Sequence, residues 1–358
     1  MAMVRLEQVS KRYGSVAALS AVDLSVDKGE FVTLLGPSGS GKTTLLNLIA
    51  GMVAASSGKV FIRDRDVTDV PPSQRDLGMV FQNYALMPHM TVFENIAFPL
   101  RVRKMPSAEV RAKVEDVLRL VQLPDVAQRK PRELSGGQQQ RISIARCLVY
   151  NPSLILMDEP LGALDRKLRD QMQLEIKRLH GQLGITVLYV THDQEEAMVL
   201  SDRICLMNQG RIEQLGKPAE LYFHPATPFV ATFLGESNLL DVTLVTAEPA
   251  AVVRGPGGCA IRSEKQVSMA VDASLRMLVR PEHLRPLAQS ESACNEVSGI
   301  VSNVIFIGGI TCYFVQLPDG TVITSRRLTE GAGPPAAIGS PIRLGWSAAN
   351  TVLFPAGT

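Results

Sequence analysis

The sequence predicts an α/β chain in which a mainly parallel sheet covered by helices is followed by a smaller all-β module. Three observations carry this. Apolar runs at 31–35 (FVTLL), 77–81 (LGMVF), 153–157 (SLILM) and 186–190 (TVLYV) alternate with helical patterns such as 107–121 and 165–181, as strands joined by crossover helices do. The stretch 4–35 has closely spaced strands, which predicts an antiparallel β part ahead of the parallel sheet. After Gly235 the texture changes to short strands with turns at Pro256-Gly257-Gly258, Pro318-Asp319-Gly320 and 331–335, which suits a small β-barrel or sandwich. The predicted domains are therefore 1–235 and 236–358, and no internal repeat is apparent.

The length of 358 residues fits two domains, and 46% hydrophobic residues is enough to bury a core in each. Lysine plus arginine (37) nearly cancels aspartate plus glutamate (35), so net charge points to no polyanionic partner. The five cysteines, Cys147, Cys205, Cys259, Cys294 and Cys312, are scattered without a CxxC pair, which argues against zinc and against a disulfide framework. The N-terminal stretch MAMVRLEQVSKRYG has no apolar core of the kind a secretory signal needs. Residues 297–318 carry no charge and are long enough to span a bilayer, yet Ser298, Ser302, Asn303, Thr311 and Gln316 interrupt them and Gly308-Gly309 sits near the centre. Two β-rich runs joined by Gly-Gly predict a hairpin there, and any membrane contact is expected to be peripheral.

Residues 36–43 read GPSGSGKT, the GxxxxGK[ST] pattern, between an apolar strand and the helical run TTLLNLIAG. Gly36, Gly39 and Gly41 let the backbone wrap so that successive N–H groups face phosphate oxygens, with Pro37, Ser38 and Ser40 between them. The helix N-terminus adds partial positive charge, Lys42 a full one toward the β- and γ-phosphates, and the Thr43 hydroxyl a ligand for Mg²⁺. The motif predicts a nucleoside triphosphate without saying which machine uses it.

SLILMDEP (153–160) is a buried strand ending in two acids, whose carboxyl end should face the ligand crevice. Asp158 is expected to hold Mg²⁺ through a water, and Glu159 to act as the general base for the attacking water. Without the phosphate loop, the same two acids would read equally well as a turn cap before Pro160. His192 ends the neighbouring apolar strand and can reach the γ-phosphate. Gln82 ends LGMVFQ, where a neutral amide can touch the metal and the water.

Residues 134–138 are LSGGQ, with Ser135 a good N-cap and Ile142, Ala145, Leu148 and Val149 on one helical face. This second glycine-rich helix start is another place for an anion, and one chain has little use for two such cradles at one ATP. At this point the chain resembles the nucleotide-binding subunits of ABC transporters: Walker A at 36–43, the Q-loop Gln82, the signature LSGGQ, Walker B at 154–159, the D-loop 161–165 (LGALD) and the switch His192 follow in that family's order over residues 3–235. The resemblance implies an ABC ATPase fold with a helical insert and a C-terminal OB-like regulatory domain, and ATP with Mg²⁺ as ligands. It adds Tyr13 as the aromatic stacked on adenine, and Thr44 and Asp165 to the nucleotide site. It also implies a head-to-tail dimer in which Ser135, Gly136, Gly137 and Gln138 of one copy close over ATP held by the other.

Three details resemble importers: a single ATPase unit without an attached span, no coiled-coil insertion before the signature, and LVRPEHLRP (278–286), similar to regulatory β-domains of import ATPases. The segment after Gln82, NYALMPHMTVFENIAFPL, resembles the surface that grips a coupling helix of the membrane subunits, although a solvated helical insert fits the same spacing. The family implies two integral-membrane permease partners, a solute-binding protein acting indirectly, and a place on the cytoplasmic face of the inner membrane. FVATFLGESNLL (229–240) and the stretch 171–198 look most like spermidine/putrescine importers; ferric iron, phosphonate and sugar importers are the alternatives. A nucleic-acid reader is disfavoured, since residues 241–358 hold nine basic and nine acidic residues and their aromatics are not interleaved with arginines.

Overall fold

The computed structural model describes residues 2–329 and 336–356, and the turn expected at 331–335 falls outside them. Two compact units emerge, Met1–Pro218 and Ala219–Thr358.

The first unit opens with a long antiparallel pair, β1 (Ala2–Tyr13) and β2 (Val16–Asp27), then β3 (Phe31–Leu35) and α1 (Lys42–Ala50). There follow β4 (Ser57–Ile62), β5 (Arg65–Asp66), β6 (Gly78–Val80), α2 (Val92–Val102), α3 (Ser107–Leu120) and α4 (Gly136–Leu148). The unit closes with β7 (Leu154–Asp158), α5 (Arg166–Leu183), β8 (Thr186–Val190), α6 (Gln194–Leu200), β9 (Arg203–Asn208) and β10 (Arg211–Gly216). One sheet runs β2-β1-β4-β5; the other runs β10-β9-β3-β8-β7-β6 and is parallel except at its β10 edge. All the strands expected from apolar runs are present.

Every residue of β3 and β8 is buried, as strands covered on both faces must be. Alternation assigns the two faces: Leu154 and Leu156 enter a core with Leu46, Ile49 and the antiparallel sheet, while Ile155 and Met157 enter one with α2, α3, α4 and Tyr189. Because β3, β8, β7 and β6 are parallel, their carboxyl ends lie along one edge. The segments starting at Gly36, Thr191, Glu159 and Phe81 leave from that edge. The fold thereby gathers sequence-distant chemistry.

Among its described residues the second unit contains α7 (Pro218–Phe223), all but its first residue, then α8 (Pro228–Phe233) and ten strands: β11 (Asn238–Thr246), β12 (Ala251–Arg254), β13 (Ala260–Ser263), β14 (Ser274–Val279), β15 (Arg285–Pro286), β16 (Asn295–Ile307), β17 (Ile310–Gln316), β18 (Val322–Leu328), β19 (Pro341–Trp346) and β20 (Val352–Pro355). The two helices pack here: Ala231 is buried with Leu278 and Phe354, and Arg280 donates to the carbonyls of Ala231, Glu236 and Tyr222. Those contacts place the unit boundary earlier than the 235–238 expected from texture. Strands β16 and β17 form the expected hairpin, turning at Gly308-Gly309.

The second unit also corrects the expectation of no internal repeat. Its sheets are β13-β12-β11-β14-β20 and β18-β17-β16-β19-β15, so β11 to β14 and β16 to β19 form the same four-stranded arrangement twice. The fifth strand of each sheet comes from the other half. Asn238, first in β11, accepts from the Thr324 N–H and donates to the Thr324 carbonyl at 2.7 and 2.8 Å. Asn295, first in β16, does the same to Arg262 at 2.8 Å in both directions. The serine hydroxyls repeat the pattern too, Ser325 donating to the Leu284 carbonyl and Ser263 to the Thr351 carbonyl. Matching amide clasps thus close both sheet edges. Replacing Asn238 by Ala should destabilise this unit by about 1–3 kcal/mol, the cost of stranding two backbone partners. Denaturant unfolding followed at Trp346, the chain's one tryptophan and a member of this unit's core, checks it.

Candidate functional site

The phosphate loop follows β3, and its glycines are forced. A Cβ on Gly36 (φ 152°) would meet the Met207 carbonyl oxygen at 2.2 Å, and one on Gly41 (φ 102°) the Ala18 oxygen at 2.7 Å. Gly39 (φ 79°) has open space above it, so there the left-handed backbone alone selects glycine. Ser40 is buried with its hydroxyl unpartnered among the described residues.

Helix starts in this unit are usually capped by a side chain: Thr91 for α2, Ser135 for α4, Asp165 for α5 and Asp193 for α6. At α1 the N-cap is Gly41, with no side-chain hydrogen bond and no acid in the first turn. The first N–H groups of α1 are left for an outside acceptor. Lys42 lies over this loop, its Nζ donating to the carbonyls of Gly36 and Pro37 at 2.8 and 2.9 Å. Burial lowers its pKa from the ordinary lysine value, opposed by Glu159 and Asp158. A buried ammonium held by carbonyls alone suits a polyanionic ligand.

Across the crevice, Asp158 ends β7 and accepts from the Thr43 hydroxyl at 3.2 Å. Burial raises the pKa of its carboxyl, with the Thr43 hydrogen bond working the other way. Glu159 has φ 42°, a left-handed conformation uncommon for a side-chain-bearing residue. Its N–H is held by the Val190 carbonyl at 3.0 Å, and its own carbonyl accepts from Gly162 at 3.2 Å. The carboxylate faces His192, with Oε2 3.2 Å from Nδ1. A Cβ on Gly162 would stand 3.6 Å from Gln82 Nε2 and 4.0 Å from Glu159 Oε2, so the amide and the carboxylate flank one glycine. Lys42, Thr43, Asp158, Glu159, His192 and Gln82 are thus brought together.

The 134–138 segment lies elsewhere in the unit, against the start of α5. A Cβ on Gly137 would meet Leu168 Cδ1 at 2.7 Å, and one on Gly136 would meet Leu164 Cδ2 at 3.3 Å. Ser135 and Gln138 form a reciprocal capping box, Gln138 N–H to Ser135 Oγ and Ser135 N–H to Gln138 Oε1. Asp165 caps α5 by accepting from Leu168 N–H. Tyr13 closes β1, half exposed, with Lys11 Nζ 4.9 Å from its ring centre.

Two arginines were not singled out from the sequence. Arg146 of α4 donates to the carbonyls of Ala85 and Tyr84, and Ser143 also donates to Tyr84, pinning the loop just after Gln82. Tyr84 and Ala85 both have positive φ, so this loop is shaped by those contacts. Arg169 binds near His192. In sequence both look like ordinary helix-surface cations; only tertiary contact distinguishes them.

The family model for ABC transporters matches residues 19–162, and that for the TOBE domain matches 277–354. A spermidine/putrescine import ATP-binding protein, PotA, of Thermobifida fusca is 47% identical, with 98% of this chain and 93% of the relative aligned. That settles membership. This chain belongs to the ABC-transporter ATP-binding protein family. A PotA of Rubrobacter xylanophilus is 44% identical over 98% of this chain and 93% of its own length. Among solved structures, MJ0796, a bacterial ABC transporter cassette determined as a dimer, is 37% identical, aligns over 60% of this chain and 99% of its own, and gives a TM-score of 0.55. A post-hydrolysis structure of the same cassette holds ADP and Pi, with a TM-score of 0.54. Among the described residues of this ABC-transporter ATPase no helix is long and apolar enough to cross a membrane.

Proposed function

We propose that this chain is the ATP-hydrolysing subunit that energises polyamine import by an ABC transporter, with spermidine and putrescine as the solutes. The observation that carries the reading is full-length likeness to spermidine/putrescine import ATP-binding proteins, joined to a phosphate loop whose helix start is left uncapped. The solute would be selected by the membrane and binding-protein partners rather than by the residues described above.

The residues divide the work as follows. The N–H groups at 39–44 and Lys42 bind and orient the triphosphate. Thr43 and Asp158 are hard oxygen donors 3.2 Å apart, and no cluster of three or more His, Cys, Asp or Glu suited to a metal occurs among the described residues. That donor set fits Mg²⁺, which takes few protein ligands and completes its shell with water and phosphate. The ion, when bound, offsets charge on the β- and γ-phosphate oxygens. Glu159 takes the proton of the attacking water, and His192 holds the far side of that carboxylate and reaches the γ-phosphate. Gln82 approaches the same point as a neutral amide.

Two copies would pair head to tail, Ser135 to Gln138 of one closing over the nucleotide of the other with Asp165 nearby, and Tyr13 stacking on adenine. Helix α2 supports a membrane-subunit contact: it buries Val92, Ile96, Ala97 and Leu100 while leaving Phe98 and Val102 exposed. The working complex would then hold two permeases, with this subunit peripheral on the cytoplasmic face. Uptake of labelled putrescine by a deletion strain carrying this gene tests the reading. Uptake should return with the gene and stay absent with a Lys42→Ala version. Restored ferric iron, phosphonate or sugar uptake without putrescine uptake would overturn the solute assignment.

A further inference from the structure

Arg169, in the first turn of α5, makes three contacts. Its Nη1 donates to Asp193 Oδ2 at 3.1 Å, its Nη2 donates to the Leu164 carbonyl at 3.2 Å, and its Nε stands 3.8 Å from Glu196 Oε1, an ion-pair distance without a hydrogen bond. Leu164 belongs to the loop that begins at Glu159, a loop folded on itself by Gly162 N–H to Glu159 O and Leu164 N–H to Leu161 O. Asp193 directly follows His192. Its Oδ1 caps α6 by accepting from the N–H groups of Glu195 and Glu196, and its N–H donates to the Thr191 hydroxyl. Its other oxygen is left for Arg169.

The contacts close a ring. It runs from the Glu159 carboxylate to His192, to Asp193, through Arg169 to Leu164, and back along the loop to Glu159. We propose that Arg169 is a positioning residue for ATP hydrolysis: it fastens the loop carrying Glu159 to the segment carrying His192 and so fixes the distance between them. The inference rests on the reading of Glu159 and His192 as the groups at the attacking water.

Charge and burial favour a tie of this kind. Glu196 is 3% exposed and accepts from the Tyr189 hydroxyl at 2.7 Å inside the core. Burial pushes its carboxyl up, partly offset by hydrogen bonds from Tyr189 and Thr191. Arg169 is the cation paired with both Asp193 and Glu196, and its planar fork can serve a carboxylate and a carbonyl together. A lysine supplies the charge without the fork. Arg169 touches neither Glu159 nor His192, so its removal should disturb their alignment and not nucleotide binding.

The test is steady-state ATP hydrolysis with nucleotide binding by the full chain carrying Arg169→Ala, Arg169→Lys, Asp193→Asn, the Arg169→Ala/Asp193→Asn pair, and Glu159→Gln. Asn keeps the N-cap while removing the charge. Arg169→Ala should lower kcat by about tenfold to a hundredfold, the scale of a misplaced catalytic group, with KM for ATP within about twofold. Arg169→Lys should recover part of that loss, and Asp193→Asn should add little on top of Arg169→Ala, since both cut one link. A kcat within about twofold of the parent, a loss confined to KM, or additive losses in the double variant would each overturn the proposal. If Arg169→Ala does not fold, Arg169→Lys and Asp193→Asn carry the same kcat-against-KM reading. The Glu159→Gln arm separates two failures. Parental turnover by Glu159→Gln sinks the reading of the base itself, whereas a dead Glu159→Gln beside an unimpaired Arg169→Ala sinks the tie alone.

Discussion

Replacing Glu159 with Gln should reduce ATP turnover by about 10²–10⁴, the usual contribution of a general base, while leaving ATP binding intact. The substitution is clean for a structural reason. The left-handed backbone at 159 is held by the Val190 carbonyl and by Gly162, neither of which involves the side chain. Gln also keeps the shape and can still face His192 Nδ1, so what is lost is the negative charge and with it the ability to take a proton. Without hydrolysis the ATP-loaded pair should accumulate, so the variant should elute as a dimer with ATP and Mg²⁺ and as a monomer without them. Phosphate release and size-exclusion chromatography read the two halves of this result. Phosphate release near the parental rate would remove Glu159 from the role.

The second large effect concerns how sites are shared. A Lys42→Ala chain and a Ser135→Arg chain should each be inactive alone, yet mixing them should return hydrolysis from heterodimers holding one intact composite site. Lys42→Ala takes away a buried cation set over the phosphate loop. Ser135→Arg disrupts the capping box at α4 and puts positive charge at a helix start that favours negative charge. Within one chain the 134–138 segment packs on Leu164 and Leu168, so its glycines have a local packing reason as well as a proposed partner. Hydrolysis by the mixture no greater than the sum of the separate chains would count against the shared site. Cooperative thermal unfolding of both variants, with Ser135→Arg lowered only by the lost cap, is the control.

Much of the fold was legible because its signals are local. The buried strands at 31–35, 153–157 and 186–190 read directly as apolar runs, and Ser135 read as an N-cap from its residue type ahead of a helical pattern. The P-loop was legible because GPSGSGKT has few other uses. What escaped was non-local. Arg146 and Arg169 lie on helices where any soluble protein carries charge, and only packing shows that one grips Tyr84 and Ala85 and the other Asp193 and Leu164. The repeat in the second unit also escaped, because LVRPEHLRP and LGWSAANTVLFP share a strand–turn–strand shape with little residue likeness. Packing divides the chain earlier than texture does because α7 and α8 are helices belonging to a β-rich body.

The exchanged fifth strands carry a consequence for how that body tolerates damage. β20 (Val352–Pro355) follows every other strand described, but it completes the sheet begun at Asn238, and β15 completes the sheet that ends at Trp346. A nonsense mutation just ahead of Val352 would therefore take a strand from the earlier-translated sheet and uncover part of the core that both sheets share. Neither sheet can be excised and kept whole, so the one begun at Asn238 cannot finish assembling until Val352–Pro355 has been synthesised.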